Sequence, residues 1–416
     1  MRTFFLSVTS FCFAFAMSAQ CENGRYLNFV FDEVNETENI SYGSNFQWDG
    51  TEADLLLDIY QPVGDSETAR PLVIFAHGGS FVGGSKDGDD VIYLAEDFAK
   101  MGFVTASINY RLGTPATPEL EIPMKQAVVR GYHDMKAAIR WFRKNVAEDG
   151  NTYAIDPDKI FIAGVSAGGF ITTHVAYMDE LNEIPAEIDQ TLQGLGGGLE
   201  GESGNPGYSS EVVGIINIAG ALGEADWIQA GDEPVLSFHG TGDTVVPYAE
   251  AMLQIFGLID IDIVFGSSAI HEKAEEIGLT NCFETYWMQG HVPHVSNEAF
   301  YDTTRSIMSN FLGHFVCPDT ELDCEYRDLS LNIIEEMEAD MSLDFFPNPS
   351  NSEINVNNPF QGRSKLEILG MNGQLIKSMI IEGEQSKVDV SNLPSGLYLL
   401  RLSNGKAVLR NKLEIQ

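Results

Sequence analysis

The stretch KIFIAGVSAGGF at residues 159–170 decides the fold. Its apolar run, Ile160–Ala163, predicts a buried strand that ends at Gly164, and the apolar segment that follows Gly168 has the length of a helix. Between strand and helix stands Ser166. Glycines two positions before and after a serine are typical of a sharp turn, since a side chain there would collide with the strand or the helix. The sequence therefore predicts an exposed, nucleophilic Ser166.

A second motif lies upstream, in PLVIFAHGGSFVGG at residues 71–84. An apolar run that predicts a strand ends here in His-Gly-Gly-Ser, and such small residues leave the backbone N–H groups of a turn accessible. Preorganised N–H donors of this kind stabilise the negative oxygen of a tetrahedral intermediate. The expected donors of this oxyanion hole are Gly79, Ser80 and, from the serine turn, Ala167.

Two downstream segments supply residues that could activate the serine. PVLSFHGTGDTVVP (residues 234–247) predicts a strand and a loop that carries Asp243, and ETYWMQGHVPHV (residues 284–295) predicts a strand and a loop that carries His291. A serine hydroxyl needs a neighbouring base, and an imidazole with an intrinsic pKa of about 6.5 can accept and return a proton near neutrality. We therefore predict Ser166 as nucleophile, His291 as base and Asp243 as the acid that orients it.

Two of these assignments have alternatives. His294, three residues after His291 in the same loop, could be the base, and Asp226, after the sixth predicted strand, could be the acid. No spacing of cysteine and histidine resembles a zinc site, and no metal or cofactor is expected. The other histidines are expected to be structural: His77, His133, His174, His239, His271 and His314.

The order of the predicted elements indicates an α/β protein. Strand-like runs alternate with helical patterns after a first hairpin, which fits a doubly wound, mostly parallel eight-stranded sheet. Reactive groups gather at the carboxyl ends of such strands, where Ser166, Asp243 and His291 all fall. The predicted strands lie near residues 26–34, 54–60, 71–77, 103–110, 159–164, 212–219, 234–239 and 284–289. The predicted helices lie near residues 89–101, 125–147, 168–178, 247–256 and 298–315.

Taken together, HGGSF, GVSAGG and a late Asp and His after successive strands make residues 25–316 resemble the α/β-hydrolase superfamily. With NYRLG at residues 109–113, HGGSF is similar to hormone-sensitive-lipase-like and type B carboxylesterases, and to bacterial esterases that act on acylated plant polysaccharides. The resemblance implies an α/β-hydrolase fold and a serine esterase activity without a cofactor. One departure is Ser80 at the fourth position of the HGGG-type motif, which keeps the N–H and narrows the pocket.

The charge of the chain is unevenly distributed. Residues 344–416 carry seven acidic and eight basic side chains, a net charge of +1, whereas the whole chain carries −37, so residues 1–343 carry −38. The contrast indicates a domain boundary. An acidic surface also disfavours nucleic acid and anionic membranes as partners. We predict a signal peptide at residues 1–20, a catalytic domain at 21–318, an acidic linker at 319–343 and a C-terminal domain at 344–416.

The first residues have the layout of a secretory signal peptide. Arg2 precedes an apolar stretch at residues 4–17, and small residues precede a cleavage site near Ala19 or Gln20. The apolar stretch is too short to span a bilayer, so no integral membrane segment is expected after signal removal.

An exported chain with four remaining cysteines is expected to form two disulfides. The preferred pairing joins Cys317 to Cys324, which are close in sequence, and Cys21 to Cys282. Four cysteines also allow two other pairings, and the sequence leaves these open.

Residues 180–210 stand apart from the periodic segments. Their second part, residues 192–210, contains seven glycines and no periodicity. The segment lies between the helix after the serine turn and the sixth strand, where related esterases place a cap over the acyl pocket. We predict a mobile lid or pocket rim here, with a surface loop as the alternative.

Beyond the predicted linker, residues 344–416 contain short alternating strands separated by the turns MNG and NLPSG, a pattern that predicts a small β-sandwich. FPNP near its start, LPSGLYLLRL and a closing basic strand resemble the C-terminal sorting domain of type IX-secreted proteins. That resemblance implies recognition by a secretion machinery and passage across the outer membrane. A carbohydrate-binding module is the alternative, although its usual row of exposed aromatics is represented only by Phe360 and Tyr398.

The expected protein is a secreted or cell-surface serine carboxylesterase, exported through the periplasm, that cleaves esters through an acyl-enzyme intermediate. Acyl groups on polysaccharides are one expected substrate. A serine peptidase of the same fold is one alternative, although such peptidases commonly carry a separate propeller domain. A non-catalytic surface adhesion protein is the other, and the presence of Ser166, Asp243 and His291 together argues against it.

Overall fold

The computed structural model describes residues 21–117, 119–255, 257–326, 343–360, 364–370, 375–381, 383–403 and 408–416. The chain divides into two compact units, Met1–Arg327 and Asp328–Gln416. The predicted signal peptide lies outside the described residues, as does most of the predicted linker. Within the ranges given above, no helix is long and apolar enough to cross a membrane.

The first unit contains an eight-stranded sheet and a smaller three-stranded one. Their strands are β1 (Val34–Phe46), β2 (Glu52–Pro62), β3 (Arg70–Ala76), β4 (Val104–Ile108), β5 (Ile155–Val165), β6 (Gly214–Ile218), β7 (Ala221–Leu222), β8 (Val235–Gly240), β9 (Glu250–Ile255), β10 (Ile259–Gly266) and β11 (Asn281–Tyr286). The large sheet has the order β1-β2-β4-β3-β5-β6-β8-β11. Only β2 pairs antiparallel with its neighbours, β1 and β4, within this sheet. The predicted mostly parallel, eight-stranded sheet is therefore confirmed.

In the described part of the first unit, five α-helices accompany these strands: α1 (Asp89–Lys100), α2 (Glu121–Glu148), α3 (Ala167–Tyr177), α4 (Ser267–Ile277) and α5 (Glu298–Val316). Strands β3, β4, β6 and β8 are buried at every position, as expected for parallel strands that are covered on both faces. The carboxyl ends of β5, β8 and β11 lie side by side or one strand apart in the sheet. Loops from distant parts of the sequence therefore meet at one edge.

Two predicted elements are wrong. Residues 26–34 do not form a strand, because the backbone turns through left-handed conformations at Gly24 and Tyr26 before β1 begins at Val34. Residues 247–255, the described part of a predicted helix at 247–256, do not form a helix. They contribute β9, which pairs antiparallel with β10, because pairing along a neighbouring strand outweighs a weak local helical pattern.

The preferred disulfide pairing is also wrong. Cys21 is bonded to Cys317, and Cys282 is bonded to Cys324. Cys317 follows the end of α5, whose Gly313 contacts the N-terminal segment, so Cys21 lies beside it. Cys324 lies beside β11, next to Asn281 and Cys282. Proximity in sequence did not decide the pairing, because the chain folds back along α5 after Cys317, where Asn310 contacts Glu321 and Asp323, and this path brings Cys324 to β11.

The glycine-rich part of the insertion is held against the first unit. The buried Arg111 guanidinium donates to the carbonyl of Gly194 at 2.7 Å, and the Ser203 hydroxyl donates to Asp134 at 2.6 Å. Arg111 and Asp134 form a fully buried ion pair, and Asn205 donates to the carbonyl of Tyr42. The sequence prediction of a mobile lid does not fit this part, because its polar groups are tied to α2 and β1.

The second unit has the predicted β-sandwich architecture. Its strands are β12 (Phe345–Phe346), β13 (Glu353–Asn357), β14 (Ser364–Gly370), β15 (Leu375–Ile381), β16 (Gln385–Asp389), β17 (Gly396–Ser403) and β18 (Val408–Ile415). They form two antiparallel sheets, β12-β13-β16 and β15-β14-β17-β18. Apolar side chains of both sheets form one core, among them Ile354, Val388, Leu366 and Leu400.

Candidate active site

Ser166 occupies the turn between β5 and α3. Its φ of 56° is left-handed, a conformation that costs a non-glycine residue free energy and is held here by packing. A Cβ atom at Gly164 would overlap the carbonyl oxygen of Gly168, and one at Gly168 would overlap that of Ala76. The Ser166 N–H donates to the carbonyl of Ile218 at 2.8 Å. Strand, turn and helix are thus too close for side chains at either glycine.

The three predicted reactive residues form one hydrogen-bonded chain. His291 Nε2 lies 2.8 Å from Ser166 Oγ, and His291 Nδ1 lies 2.6 Å from Asp243 Oδ2. Because a carboxylate can only accept, Nδ1 carries a proton and Nε2 of the neutral ring is the acceptor for the serine hydroxyl. The Asp243 side chain is fully buried, whereas 18% of the His291 side chain is exposed. This geometry allows the imidazole to take a proton from Ser166.

Asp243 is held by four hydrogen-bond donors. Its Oδ1 accepts from the N–H groups of Val245 and Val246 at 2.8 and 3.0 Å, and its Oδ2 faces both His291 and His239. Burial acts to raise the pKa of this carboxyl, but the hydrogen bonds from His239 and His291 outweigh it and hold the pKa well below its usual range. Asp243 is therefore ionised throughout the neutral pH range.

His239, which the sequence indicated to be structural, belongs to this site. Its Nε2 lies 3.3 Å from Asp243 Oδ2 and 3.2 Å from the carbonyl of Val246, and its Nδ1 lies 2.8 Å from the Ser267 hydroxyl. Ser267 in turn accepts from the buried amide of Asn217. The sequence feature that could have identified His239 is its position at the end of β8, four residues before the candidate acid.

The two alternative residues lie elsewhere. His294 is buried in a short 3₁₀ turn, lines a separate recess with Asp89 and Tyr93, and makes no hydrogen bond to Ser166. Burial lowers its pKa to about 4. Asp226 is 93% exposed and pairs with Lys273. The hydrogen bonds at this site join Ser166, His291 and Asp243. Neither alternative residue takes part in them.

The loop after β3 presents unused N–H groups next to Ser166. Gly79 and Ser80 have φ values of 117° and 53°, and no described residue accepts a hydrogen bond from either N–H. Two hydrogen bonds anchor the loop. Asp90 accepts from the N–H of Gly78 at 2.6 Å, and the Tyr110 hydroxyl donates to the carbonyl of His77 at 2.8 Å. With the Ala167 N–H at the start of α3, these groups could bind an oxyanion.

A cavity of about 1230 Å³ opens beside Ser166. Its walls are mostly apolar and come from α2, α3, the β9–β10 hairpin and the first part of the insertion, where residues 182–187 reach the cavity. Only this part of the predicted lid borders the site. The hairpin was missed because residues 247–256 predicted a helix. Among the described residues no group of three or more His, Cys, Asp or Glu side chains could hold a metal ion.

Parts of the chain match known families and proteins. Residues 57–198 match the BD-FAE family model, and residues 344–416 match the model of the secretion system C-terminal sorting domain. Fumonisin B1 esterase of Sphingopyxis macrogoltabida is 35% identical over 125 residues, which are 29% of this chain and 22% of that protein. Carboxylesterase 3B of Mus musculus is 36% identical over 126 residues, 29% of this chain and 20% of that protein. The chain thus spans about a fifth of the length of these curated relatives.

Solved structures that match the chain include esterase 2 of Thermogutta terrifontis phosphorylated by paraoxon. It is 23% identical, with a TM-score of 0.46 over 69% of this chain and 95% of that one. The propionate-bound form of that esterase is 22% identical, with a TM-score of 0.45 over the same shares. Residues 57–198, which contain β3, the loop after it and the turn at Ser166, are thus similar to the BD-FAE family, and residues 344–416 are similar to the secretion system C-terminal sorting domain.

Proposed function

We propose that the protein is a secreted serine carboxylesterase that hydrolyses esters through an acyl-enzyme intermediate. The observation that carries the proposal is the unbroken hydrogen-bonded chain from Ser166 through His291 to Asp243. Similarity to fumonisin B1 esterase and carboxylesterase 3B over part of the chain supports an ester as substrate.

The reaction begins when Ser166 Oγ attacks the ester carbonyl carbon and His291 Nε2 takes the hydroxyl proton. The N–H groups of Gly79, Ser80 and Ala167 bind the developing oxyanion. Collapse of the tetrahedral intermediate breaks the bond to the alcohol, which leaves with the proton from His291. Water then attacks the acyl-serine with His291 again as base, and the acid is released. Asp243 holds the imidazole in the required tautomer and stabilises its cationic form.

The same groups could cleave an amide, so a serine peptidase is the second candidate. Ester hydrolysis is favoured because the relatives that match part of the chain are esterases. The third candidate, a non-catalytic adhesion protein, has no need of the left-handed conformation at Ser166 or of a buried carboxylate behind His291. Acylated polysaccharide remains a proposed substrate, because HGGSF and NYRLG resemble the motifs of esterases that act on it.

The sorting domain at residues 344–416 supports a secreted or cell-surface location and an interaction with a secretion machinery. Residues 1–20 are proposed to be a signal peptide that directs the chain to the periplasm first. The proposed domain organisation keeps residues 21–318 as the catalytic domain and 319–343 as the linker. Residues 319–326 are nevertheless fastened to the first unit, because Cys324 is bonded to Cys282.

The proposal is tested with 4-nitrophenyl acetate and purified protein. We expect a burst of 4-nitrophenol equal to the enzyme concentration, and a mass increase of one acetyl group on the peptide that contains Ser166. Ser166→Ala should abolish both, whereas Ser268→Ala, a matched change on α4, should retain them. Hydrolysis that survives Ser166→Ala would refute the assignment. Faster cleavage of a matched 4-nitroanilide would favour the peptidase, and no cleavage of either would favour the adhesion protein.

A further inference from the structure

One face of α3 leads from the reactive serine deep into the cavity. Ser166, Phe170, His174 and Met178 follow one another at four-residue intervals, and all four line the cavity. Residues four apart lie on the same side of a helix, one above the other. With a rise of about 1.5 Å per residue, His174 lies about 12 Å along the axis from Ser166. A substrate that extends along α3 therefore meets the imidazole of His174.

The hydrogen bonds of His174 define which of its nitrogens is protonated. Its Nδ1 lies 2.7 Å from the carbonyl oxygen of Phe170, and because a carbonyl can only accept, Nδ1 carries the proton. Burial lowers the pKa of His174 to about 4, although the hydrogen bond to Phe170 acts in the opposite direction. The ring is therefore neutral near pH 7, and Nε2 bears a lone pair.

The Nε2 atom is open on the side of the cavity. The imidazole is 7% exposed and is held between the rings of Phe170 and Trp227, yet no hydrogen bond from a described residue reaches Nε2. A Cβ atom at Gly223 would lie 3.4 Å from Nε2 and 2.7 Å from the Trp227 ring, so the glycine keeps this approach free. An acceptor that is open to the cavity can accept a hydrogen bond from a bound ligand, and this bond would add to the affinity.

The lining of the cavity also carries several carboxylates. Glu183, Glu224 and Asp262 contribute carboxylates to its lining. The cation among the described lining residues is Lys125, and its ammonium group already contacts Glu187 at 2.5 Å and Asp262 at 2.6 Å. An anionic ligand would be repelled here, whereas a neutral group with a hydrogen to donate would be accommodated.

We propose that the end of the cavity at His174 binds a neutral, hydroxyl-bearing portion of the ester, whose O–H donates to Nε2. This specificity rests on the proposed esterase function. Either the acyl or the alcohol portion of an ester can carry such a hydroxyl, and the donor is lost when the hydroxyl is methylated. A substrate hydroxyl at this depth should strengthen binding, and a methyl ether should not.

Two substrate series test the proposal on the full-length protein. In the acyl series, 4-nitrophenyl 8-hydroxyoctanoate is compared with the 8-methoxyoctanoate and the octanoate. In the alcohol series, 8-hydroxyoctyl acetate is compared with 8-methoxyoctyl acetate. Because a neutral hydrogen bond changes affinity by about two- to tenfold, we expect the hydroxyl compound to exceed its methyl ether by that factor in kcat/KM in one series, chiefly through KM.

Variants connect that preference to one atom. His174→Leu removes the acceptor and should abolish the hydroxyl preference, whereas His174→Gln keeps an acceptor oxygen in this region and should retain part of it. His271→Gln, a histidine on α4 that does not line the cavity, is the matched control and should keep the full preference. If His174→Leu does not fold, the wild-type substrate ratios and His174→Gln still decide whether a hydroxyl preference exists and depends on His174.

Each outcome separates this inference from the proposed function. A preference in the acyl series assigns the hydroxyl to the acid, and one in the alcohol series assigns it to the alcohol; either supports the inference. Equal rates within both series, or a preference unchanged in His174→Leu, overturn it while the esterase function stands. No hydrolysis of any compound, including 4-nitrophenyl acetate, overturns both.

Discussion

The Nε2 atom of His239 lies 3.3 Å from Asp243 Oδ2, the same oxygen that accepts the Nδ1 proton of His291 at 2.6 Å. Two imidazoles thus share one carboxylate oxygen, and only one of them also reaches Ser166. The second, His239, is completely buried and is held from behind by Ser267. From this position we expect His239 to fix the Asp243 carboxylate and to weaken the effect of its negative charge on the imidazole of His291.

Replacing His239 should therefore alter the pH profile as well as the rate. In His239→Leu, Asp243 has one donor fewer, so its charge stabilises the cationic form of His291 more strongly and the acid limb of the kcat/KM profile moves to higher pH. We also expect kcat to fall about tenfold, the effect of losing one hydrogen bond to a charged group. His239→Gln, which retains a donor, should restore most of both properties. A lower rate with an unmoved profile in His239→Leu would indicate a purely structural role.

Asp243→Asn tests the orienting carboxylate directly. An amide can donate to the imidazole and so favours the wrong tautomer, and we expect kcat for 4-nitrophenyl acetate to drop about 10³- to 10⁴-fold. Asp226→Asn, a change at the exposed alternative acid, serves as the control. A loss confined to Asp226→Asn would contradict the assignment of the acid.

Asp90 should act on the oxyanion loop, since its carboxylate accepts from the N–H of Gly78 at 2.6 Å. In Asp90→Ala this anchor is lost, and a loop displaced by a fraction of an ångström should lower kcat about ten- to hundredfold with little change in KM. Asp90→Asn keeps an acceptor and should recover much of the rate. Steady-state kinetics of the wild type and both variants provide the measurement. A kcat of Asp90→Ala equal to that of the wild type would show that this hydrogen bond does not affect catalysis.

Three buried histidines predict sensitivity to mild acid. Burial lowers the pKa values of His133, His174 and His294 to about 4, whereas an unfolded histidine titrates near 6.5. Between these values the unfolded chain binds more protons at the three histidines, so their contribution to the free energy of unfolding should decrease as the pH falls from about 6.5 to 4. Burial raises the pKa values of Glu233 and Glu284 to about 7, and these carboxyls contribute in the opposite direction. Urea unfolding at a series of pH values measures this slope.

His133→Asn should flatten that slope, since one of the three titrating groups is removed, and each pKa unit is worth about 1.4 kcal/mol. His271→Gln, which changes a partly exposed histidine, is the matched control. A slope that is identical in wild type and His133→Asn would contradict the burial of this imidazole as a source of acid sensitivity.

The disulfides should appear as Cys21–Cys317 and Cys282–Cys324 in mass spectra of non-reduced proteolytic peptides. The Cys282–Cys324 bridge closes a loop of 42 residues. From the loop-closure entropy, replacing both cysteines by serine should lower the free energy of unfolding by roughly 4 kcal/mol. The melting temperature should fall accordingly. A peptide that links Cys317 to Cys324 would contradict the structure.

The sequence by itself determined seven of the eight strands of the large sheet and the turn at Ser166. These features depend on local physics: buried parallel strands are continuous apolar runs, and a turn that cannot hold side chains requires glycines at Gly164 and Gly168. The candidate acid and base could be chosen for a related reason, because loops after parallel strands meet at one edge of the sheet.

Tertiary structure alone decided what depends on contacts between distant segments. Antiparallel pairing with β10 made a strand of residues 250–255, and the path of the chain after α5 chose the partners of Cys317 and Cys324. Likewise, no local pattern indicates which group His174 or His239 faces, although His239 lies four residues before the candidate acid. One faces a carboxylate and the other faces a cavity only because α3, β8 and the loops around them pack together, and such packing is set by the whole core.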